Sequence, residues 1–510
     1  VIKTDGDITA RFGAQVRMIP TYEQDWDFGI AKKNPAVTGN LVHVNEAGAV
    51  NKSYIRSEDR LYFNFAKGDI WDVYFALEFD DVLSSRTVDR VRDVQGAFGT
   101  FGLEKLNASI KLPWIYSRFS AGWDTNGVDA DLGALVYLDD DPGFFLKGGI
   151  ANFGWYLAYD KKTEANRTLA GLRGTPANLT NTGSDNDRDF VNARFDYTIT
   201  KDTQVGVIFA WNRQATATQN FANGDPCVGP VCPETDGYYL SPFVKLSFAG
   251  FKLVAQYSHL WGDANKTNQV NGASGSLGNY TIDSNAVYAD LAFDMTPWTG
   301  FRVIPHIGGW WTQGDDNPND SKLEGYAGIT DFQRFTSGFG GENTIIGDGN
   351  PVYGSGLYGF FPILRGNQSS NLVIGGGSSG NTGRGDNPGI LIVGGGITVD
   401  PIKNWTYRTN AMYLRYNEKF CSGAPTVVAG VVTCPNTSTG ISQVIDKHDA
   451  GVEWDNEILW WLDKSMVVKG QVSFFFPGDA IKQITKALAN NGTTPDDTAI
   501  RLAMELIWNF

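Results

Sequence analysis

The chain has 510 residues, of which 42% are hydrophobic, 13% aromatic and 19% charged. That balance excludes a disordered chain, which is poor in aromatics and rich in charge. With 42 Lys and Arg against 56 Asp and Glu the net charge is −14, so the concentrated positive charge that nucleic acid demands is missing, and cations or neutral solutes are the expected partners.

Nothing in the sequence crosses a bilayer as a helix. That takes roughly 20 mostly apolar residues, and the best run, 389–399 (GILIVGGGITV), is short and interrupted by glycine. Val1 reads as the mature terminus of a processed chain.

Taken in chain order, apolar residues recur at period 2. Ile8, Ala10, Phe12, Ala14, Val16 and Met18 alternate with Arg11, Gln15 and Arg17. Trp71, Val73, Phe75, Leu77 and Phe79 alternate with Asp72, Tyr74 and Glu78. The chain ends in the same way, with Ile500, Leu502, Met504, Leu506, Trp508 and Phe510 on one face and Arg501, Ala503, Glu505, Ile507 and Asn509 on the other. This period predicts half-buried strands, and helical periodicity is nearly absent.

The strands are joined by short turns and long segments in strict succession. Tight turns are read at Lys67-Gly68-Asp69, Pro113, Thr200-Lys201-Asp202, Ala249-Gly250, Pro297-Trp298-Thr299-Gly300, Asp400-Pro401 and Asp463-Lys464, each inside a hairpin. Between the hairpins lie long polar segments at 19–52, 81–98, 125–143, 160–188, 213–236, 262–282, 313–387, 417–447 and 477–496. All long connections therefore fall at one end of the strands and all short ones at the other.

That asymmetry belongs to an outer-membrane barrel, with strands of about 10 residues facing lipid and lumen in turn. The expected fold is all-β: residues 1–510 form a single transmembrane antiparallel β-barrel of about 18 strands, with short periplasmic turns and long extracellular loops. A count of about 16 is the alternative, the weakest pair lying within 132–160. Closure is expected because an open sheet edge in lipid leaves backbone groups unsatisfied. Trp26, Trp71, Trp114, Trp123, Trp155, Trp211, Trp298, Trp310, Trp311, Trp405, Trp460, Trp461 and Trp508 sit at or near strand ends, where a membrane interface favours amphipathic rings. The competing reading, a soluble sandwich or propeller with tryptophans in its core, does not require nine long loops on one side, and no blade-length repeat is apparent.

With the apolar faces toward lipid, the opposite faces line the lumen. Its basic candidates are Arg11, Arg17, Arg56, Arg60, Arg118, Arg194, Lys252, Arg302 and Lys469, and its acidic candidates Glu58, Asp72, Glu78, Asp124, Asp196, Asp290, Asp294, Glu453, Asp455 and Glu505. Gln15, Tyr62, Asn64, Tyr74, Asn192, Gln256 and Ser473 wet the same faces. Opposed charges across an aqueous constriction select solutes by charge and size, although many of these residues are equally readable as structural ion pairs on the wall.

The candidate constriction element is loop 125–143, which carries Asp129, Asp131, Asp139, Asp140 and Asp141 around an apolar patch at 132–138. Arg11, Arg17, Arg60 and Arg118 are the expected facing charges. An ordinary exposed acidic loop is the plainer alternative. Loop 313–387, rich in Gly, Ser and Asn, is long enough to cover the mouth. Its run Asp315-Asp316-Asn317-Pro318-Asn319-Asp320 offers oxygen ligands for Ca²⁺ but lacks EF-hand spacing, and a solvated loop is the simpler reading.

Four cysteines form two local pairs, Cys227 with Cys232 and Cys421 with Cys434. Without nearby His they make a poor zinc site, so local disulfides in an oxidising compartment are expected, free surface thiols being the alternative. Catalytic signals are weak. The formal G-x-S-x-G and G-x-G-x-x-G matches at 375–380 lie in a glycine tract without strand-turn-helix context. Four histidines, His43, His259, His306 and His448, form no ligand cluster. Glu453, Asp455 and Glu457 mimic a carboxylate pair, but their alternation makes them wall residues. No enzyme and no cofactor are expected.

The amino-terminal ITARFGAQVRM, the pair RLYFNFAKGDIWDVYFALEFD and the aromatic strand ending in Phe510 resemble bacterial outer-membrane porins, including the homotrimeric porins of sulfate- and metal-reducing bacteria. Gly451-Val452-Glu453-Trp454-Asp455, followed by Phe474-Phe475-Phe476-Pro477-Gly478-Asp479, is also similar to the last strands of alginate-export-like barrels. The pattern covers the whole chain, but only its two ends carry specific motifs. The resemblance implies a Gram-negative outer membrane with its lipids and lipopolysaccharide, a homotrimer, an inward-folded third loop, and Phe510 as the signal read by the barrel-assembly machinery. The chain departs from compact general porins in its length, its loop 313–387 and its cysteine pairs.

The expected function is a passive porin for small hydrophilic solutes or ions, weakly cation-preferring. The alternatives are a substrate-specific channel for an oligosaccharide, organic acid or metal complex, and the barrel sheath of an electron-transfer conduit.

Overall fold

Alternation at period 2 gives every segment one apolar and one polar face, and a sheet that closes on itself can turn all the apolar faces outward. The computed structural model of the chain does this with 18 antiparallel strands. It describes residues 2–3, 7–25, 28–33, 52–82, 101–163, 188–214, 234–265, 280–317, 320, 322–326, 328, 388–421, 426–428, 431–433, 444–489 and 492–510.

The barrel strands are β1 (Ile8–Gln24), β2 (Lys52–Lys67), β3 (Trp71–Val82), β4 (Phe101–Leu112), β5 (Ser117–Gly127) and β6 (Leu138–Ile150). They continue as β7 (Phe153–Thr163), β8 (Arg188–Thr200), β9 (Thr203–Gln214), β10 (Glu234–Phe248), β11 (Phe251–Asn265) and β12 (Tyr280–Phe293). The last six are β13 (Arg302–Thr312), β14 (Ile390–Asp400), β15 (Trp405–Tyr416), β16 (Asp449–Trp461), β17 (Met466–Pro477) and β18 (Ala499–Asn509). Each pairs with its neighbours in sequence, and β18 returns to β1 with the register Gln15↔Asn509 through Gln24↔Ile500. Closure leaves no edge, the condition for a sheet in lipid.

The outer face is apolar and uncovered. Phe12 is 55% exposed, Leu103 53%, Phe144 54% and Ile307 60%, a continuous apolar exterior that a water-facing surface does not carry. On β18, Leu502, Met504 and Trp508 stand exposed while Arg501, Ala503 and Glu505 are buried, as their alternation requires. Short turns close one end. At 113–115 a single helical turn begins on proline, and at α2 (Thr296–Thr299) the chain leaves through Gly300 at φ 75°. Trp298 packs on Phe293 at 5.1 Å and Trp405 stacks on Trp460 at 5.4 Å near that end, where an aromatic girdle belongs.

Such a barrel, with short turns at one end and long connections at the other, is the construction of the Gram-negative outer membrane, and the chain is an outer-membrane barrel.

The strands run further into the long connections than their sequences suggest. The first connection spans 25–51 rather than 19–52 and the fourth 164–187 rather than 160–188, whereas those after β13 and β15 are slightly longer than read, 313–389 rather than 313–387 and 417–448 rather than 417–447. The largest revision concerns the third, which shrinks from 125–143 to 128–137. Asp139, Asp140 and Asp141 lie not in a loop but in β6, paired with Asn126, Thr125 and Asp124 of β5. Three consecutive aspartates oppose strand formation by propensity, and the backbone ladder to β5 overrides it. A second revision concerns Trp310, which is 3% exposed and faces the lumen rather than the membrane interface.

At the long-loop end, described parts of the first and last connections fold over the wall. In the helix α3 (Asp479–Ala489), Ala480, Ile481 and Ile484 are buried in a cluster with Phe28 and Phe475, whose rings lie 5.5 Å apart. Lys32, in the short helix α1 (Ile30–Lys33), ties this cap together through Asp25 at 2.7 Å and Asp497 at 3.0 Å. Of the cysteines, Cys227, Cys232 and Cys434 lie outside the described residues, as does the side chain of Cys421, and so do the two glycine-tract motifs at 375–380.

Candidate functional site

Loop 128–137 leaves β5, crosses the lumen and lies against the inner wall of β8 and β10–β13. Its own sequence explains the inward course. Val128, Leu132, Leu135, Val136 and Tyr137 are all buried, so standing outside in water would expose five apolar side chains. The turn is set by Asp129, whose carboxylate accepts the N–H groups of Val136 (2.7 Å) and Tyr137 (3.1 Å) and the Gln256 side-chain amide (2.8 Å). Burial pushes the Asp129 carboxyl up, against the pull of these three donors.

Contacts from five wall strands hold the loop. Gln256 of β11 also accepts the Gly133 N–H at 2.9 Å, and Trp310 of β13 donates its indole N–H to the Gly133 carbonyl at 3.0 Å. Gly133 lies flat on Tyr288 of β12: a Cβ there would stand 2.4 Å from the Tyr288 Cβ. Arg194 of β8 donates to Asp131 through both terminal nitrogens, at 2.6 and 3.1 Å, and to the Val128 carbonyl at 3.0 Å. Its guanidinium lies over the Phe243 ring at 4.6 Å. Lys245 of β10 pairs with Asp131 Oδ2, the oxygen that also accepts from Arg194 Nη2. Burial pushes the Asp131 carboxyl up, but the hydrogen bonds from Arg194 and Lys245 outweigh it and hold the group at about 2.

A second segment clamps the first from above. Tyr326, fully buried, donates its hydroxyl to the Leu135 carbonyl oxygen at 2.9 Å and lies 2.8 Å from the Ser258 hydroxyl. Burial pushes the Tyr326 hydroxyl well above its ordinary range.

On the wall formed by β15–β18 and β1–β4, opposite charges join in a ladder. Arg408 meets Glu457 at 2.8 Å, Glu457 meets Lys469 at 3.4 Å, and Lys469 meets Glu505 at 3.2 Å. Glu505 meets Arg17 at 2.7 Å across the closing seam, and Arg17 meets Glu58 at 2.5 Å. Glu58 meets Arg60 at 2.8 Å, and Arg60 ends the ladder on Glu78 at 2.7 Å and Glu104 at 3.0 Å.

The residues singled out from the sequence fall in three places. Arg17, Arg60 and Glu78 join the ladder, and Glu453 lies fully buried on the inner face of β16. Arg194 alone of the basic candidates touches loop 128–137, so the facing charges are Arg194 and Lys245 instead of Arg11, Arg17, Arg60 and Arg118. Arg11, Arg118 and Arg302 belong to the short-turn end. Arg11 is exposed and forms no ion pair among the described residues, Arg118 meets Asp72 at 2.5 Å, and Arg302 meets Asp400 at 3.4 Å. Asp124 accepts the Asn107 side-chain amide at 3.0 Å. Phe510 is 65% exposed, its N–H bonded to Ala14 at 2.9 Å and its ring 4.6 Å from Trp508.

Sequence reasoning missed Lys245, Glu104, Arg408 and Tyr326. Lys245 was within reach, since it alternates with the outward Val244 and Leu246. Tyr326 sits in a glycine-rich segment with no period to orient it.

No protein-family model and no curated protein matches the chain. Among solved structures it is similar to OpdK of Pseudomonas aeruginosa, crystallised with vanillate, at 9% identity over 98% of this chain and 99% of that one, with a TM-score of 0.44. A BenF-like porin of Pseudomonas fluorescens gives 9%, 98% and 99% with a TM-score of 0.45. OccAB1 of Acinetobacter baumannii gives 10%, 98% and 97% with a TM-score of 0.45.

Proposed function

We propose that this barrel is a passive diffusion channel for small hydrophilic solutes, narrowed by loop 128–137. The observation that carries the reading is Asp131, held by Arg194 and Lys245 on an inward loop that faces a wall of ionised side chains. Such a lumen favours water and polar solutes over apolar ligands. In the ladder, Arg17, Arg56, Arg60, Arg408 and Lys469 balance Glu58, Glu78, Glu104, Glu457 and Glu505. The wall therefore contributes little net field, and the charge of −14 leaves a weak preference for cations. Single-channel recording in planar bilayers tests this: stepwise ohmic openings are expected, and no conductance from folded, heat-modifiable protein would overturn it. The reversal potential in a salt gradient reads the sign of the preference.

A substrate-selective channel is the second reading, favoured by the clamping of loop 128–137 under Tyr326. It predicts that a specific solute blocks the current at submillimolar concentration, where a diffusion channel passes all small solutes alike. A sheath around an electron carrier is disfavoured because the same loop crosses the bore. The proposed assembly is a homotrimer, supported by the outward cluster of Phe12, Phe63, Phe65 and Phe75, in which Phe75 stacks on Phe63 and Phe65 and Phe12 meets both edge-on, with centroids 4.5–6.4 Å apart. Mass measurement of the detergent complex checks it.

A further inference from the structure

The segment after β13 carries a cluster that the channel reading does not use. Asp315, Asp316 and Glu324 each bring one ligand oxygen into a group whose members all lie within 4.8 Å of one another. Among the described residues no Lys or Arg forms an ion pair with any of the three. Asp315 is only 2% exposed. Its Oδ1 accepts the Asn317 N–H at 3.1 Å, whereas its Oδ2 is buried without a hydrogen-bond donor.

A buried carboxylate oxygen without a donor, beside two further carboxylates, is costly unless a proton or a cation completes it. Burial pushes the Asp315 carboxyl up to about 7, with the Asn317 and Glu324 N–H groups opposing and the charges of Asp320 and Glu324 adding. Glu324 is pushed up by its own burial and by Asp316.

We propose that Asp315, Asp316 and Glu324 bind a divalent cation, Ca²⁺. The donors are all hard oxygens, with no nitrogen or sulfur to favour a transition metal. Ca²⁺ accepts irregular oxygen geometries, whereas Mg²⁺ demands a near-ideal octahedron and is seldom held by an all-protein cage, so three carboxylate oxygens gathered within 4.8 Å of one another suit the larger ion. The exposed Asp316 leaves one side open to water, which completes the shell.

The position gives the ion a structural consequence. The two ends of this stretch meet: the Tyr326 N–H bonds the Gln313 carbonyl at 2.9 Å, and Leu323 pairs with Ile282 of β12. An ion joining Asp315 and Asp316 to Glu324 ties these ends together just before Tyr326, the residue that holds Leu135. Ca²⁺ thereby braces the contact between the two inward segments.

Calorimetric titration of CaCl₂ into the chelator-treated full chain, folded in detergent micelles, tests the site, with Asp315→Asn and Glu324→Gln alongside. Wild type is expected to show one more site than either variant, with a Kd on the order of 10⁻⁴ M, and Ca²⁺ is expected to raise its unfolding temperature but not theirs. Asp315→Asn should also raise the cation-free unfolding temperature, because it removes a buried unpaired charge; a purely structural carboxylate would lower it. Should Asp315→Asn fail to fold, the half-buried Glu324→Gln carries the binding comparison. Equal Ca²⁺ binding by wild type and variants would overturn the site, and equal affinity for MgCl₂ would overturn the choice of ion.

Discussion

Arg194 grips Asp131 with both terminal nitrogens, at 2.6 and 3.1 Å, although the two residues are 63 positions apart and belong to opposite sides of the lumen in chain order. A forked guanidinium on a carboxylate fixes orientation as well as charge. Lys245 shares the same carboxylate, so Arg194→Ala leaves one cation in place while Asp131→Asn releases both. Because the Asp131 side chain is 47% exposed, the pair falls within the range of about 0–1 kcal/mol for exposed bridges. Asp131→Asn is therefore expected to leave the unfolding temperature nearly unchanged while raising single-channel conductance and current noise. A large loss of stability with unaltered current would contradict the assigned role.

The same pair fixes a pH response. Its carboxyl sits at about 2 in the folded protein, below the ordinary value near 3.9. A depressed carboxylate contributes stability above its unfolded value and loses it as pH falls through the folded one. Trp310 fluorescence, which reports on the Gly133 contact, should stay constant from about pH 7 to pH 4 and change with a midpoint near 2. Asp131→Asn should abolish that step, and a wild-type midpoint at the ordinary carboxylate value would show that the pair does not form.

The seam between the first and last strands rests on Glu505, which is 1% exposed and shared between Arg17 and Lys469. Glu505→Ala leaves the buried Arg17 and the half-buried Lys469 short of a partner, a loss of about 3–5 kcal/mol for a broken buried pair. Glu505→Gln keeps an acceptor and should lose less. Heat-modifiability on gels, which follows barrel opening, is expected to shift to lower temperature in the order wild type, Gln, Ala.

The face of each strand was legible in the sequence because alternation at period 2 assigns in and out without any knowledge of neighbours. Glu505 and Met504 could be sorted on that basis alone. Azimuth was not legible. Which wall receives an inward loop depends on the curvature of the closed barrel, so Arg17 and Arg60 looked as suitable for Asp131 as Arg194 does. The same blindness hid the ladder, whose links join residues as far apart as Arg17 and Glu505. Asp139–Asp141 failed for a different reason: local composition said loop, and only pairing with β5 makes them strand. Tyr326 had neither period nor composition to mark it.

Outward residues face lipid, and the cost of charging them depends on depth. Met504, 49% exposed in the middle of β18, is expected to lose about 2–4 kcal/mol on change to Lys. Phe510→Lys, at the membrane interface, should cost about 0–1 kcal/mol. Urea unfolding in lipid vesicles measures both, and equal costs would argue against a lipid-facing gradient along this strand.

Gly133 offers the sharpest test of the constriction. Any Cβ there meets the Tyr288 Cβ at 2.4 Å and Cγ at 2.5 Å, and the first of these atoms is fixed by the β12 backbone and cannot swing aside. Gly133→Ala must therefore lift the loop, stretching the Gln256 and Trp310 hydrogen bonds at an overpacking cost of about 1–3 kcal/mol. Tyr288→Ala removes the obstructing ring but retains its Cβ, so the double variant should recover only part of the loop's position. The expected readings are a raised conductance for Gly133→Ala, a smaller rise for the double variant, and a red shift of Trp310 emission in both. Unchanged current and emission in Gly133→Ala would show that the loop does not rest on this wall.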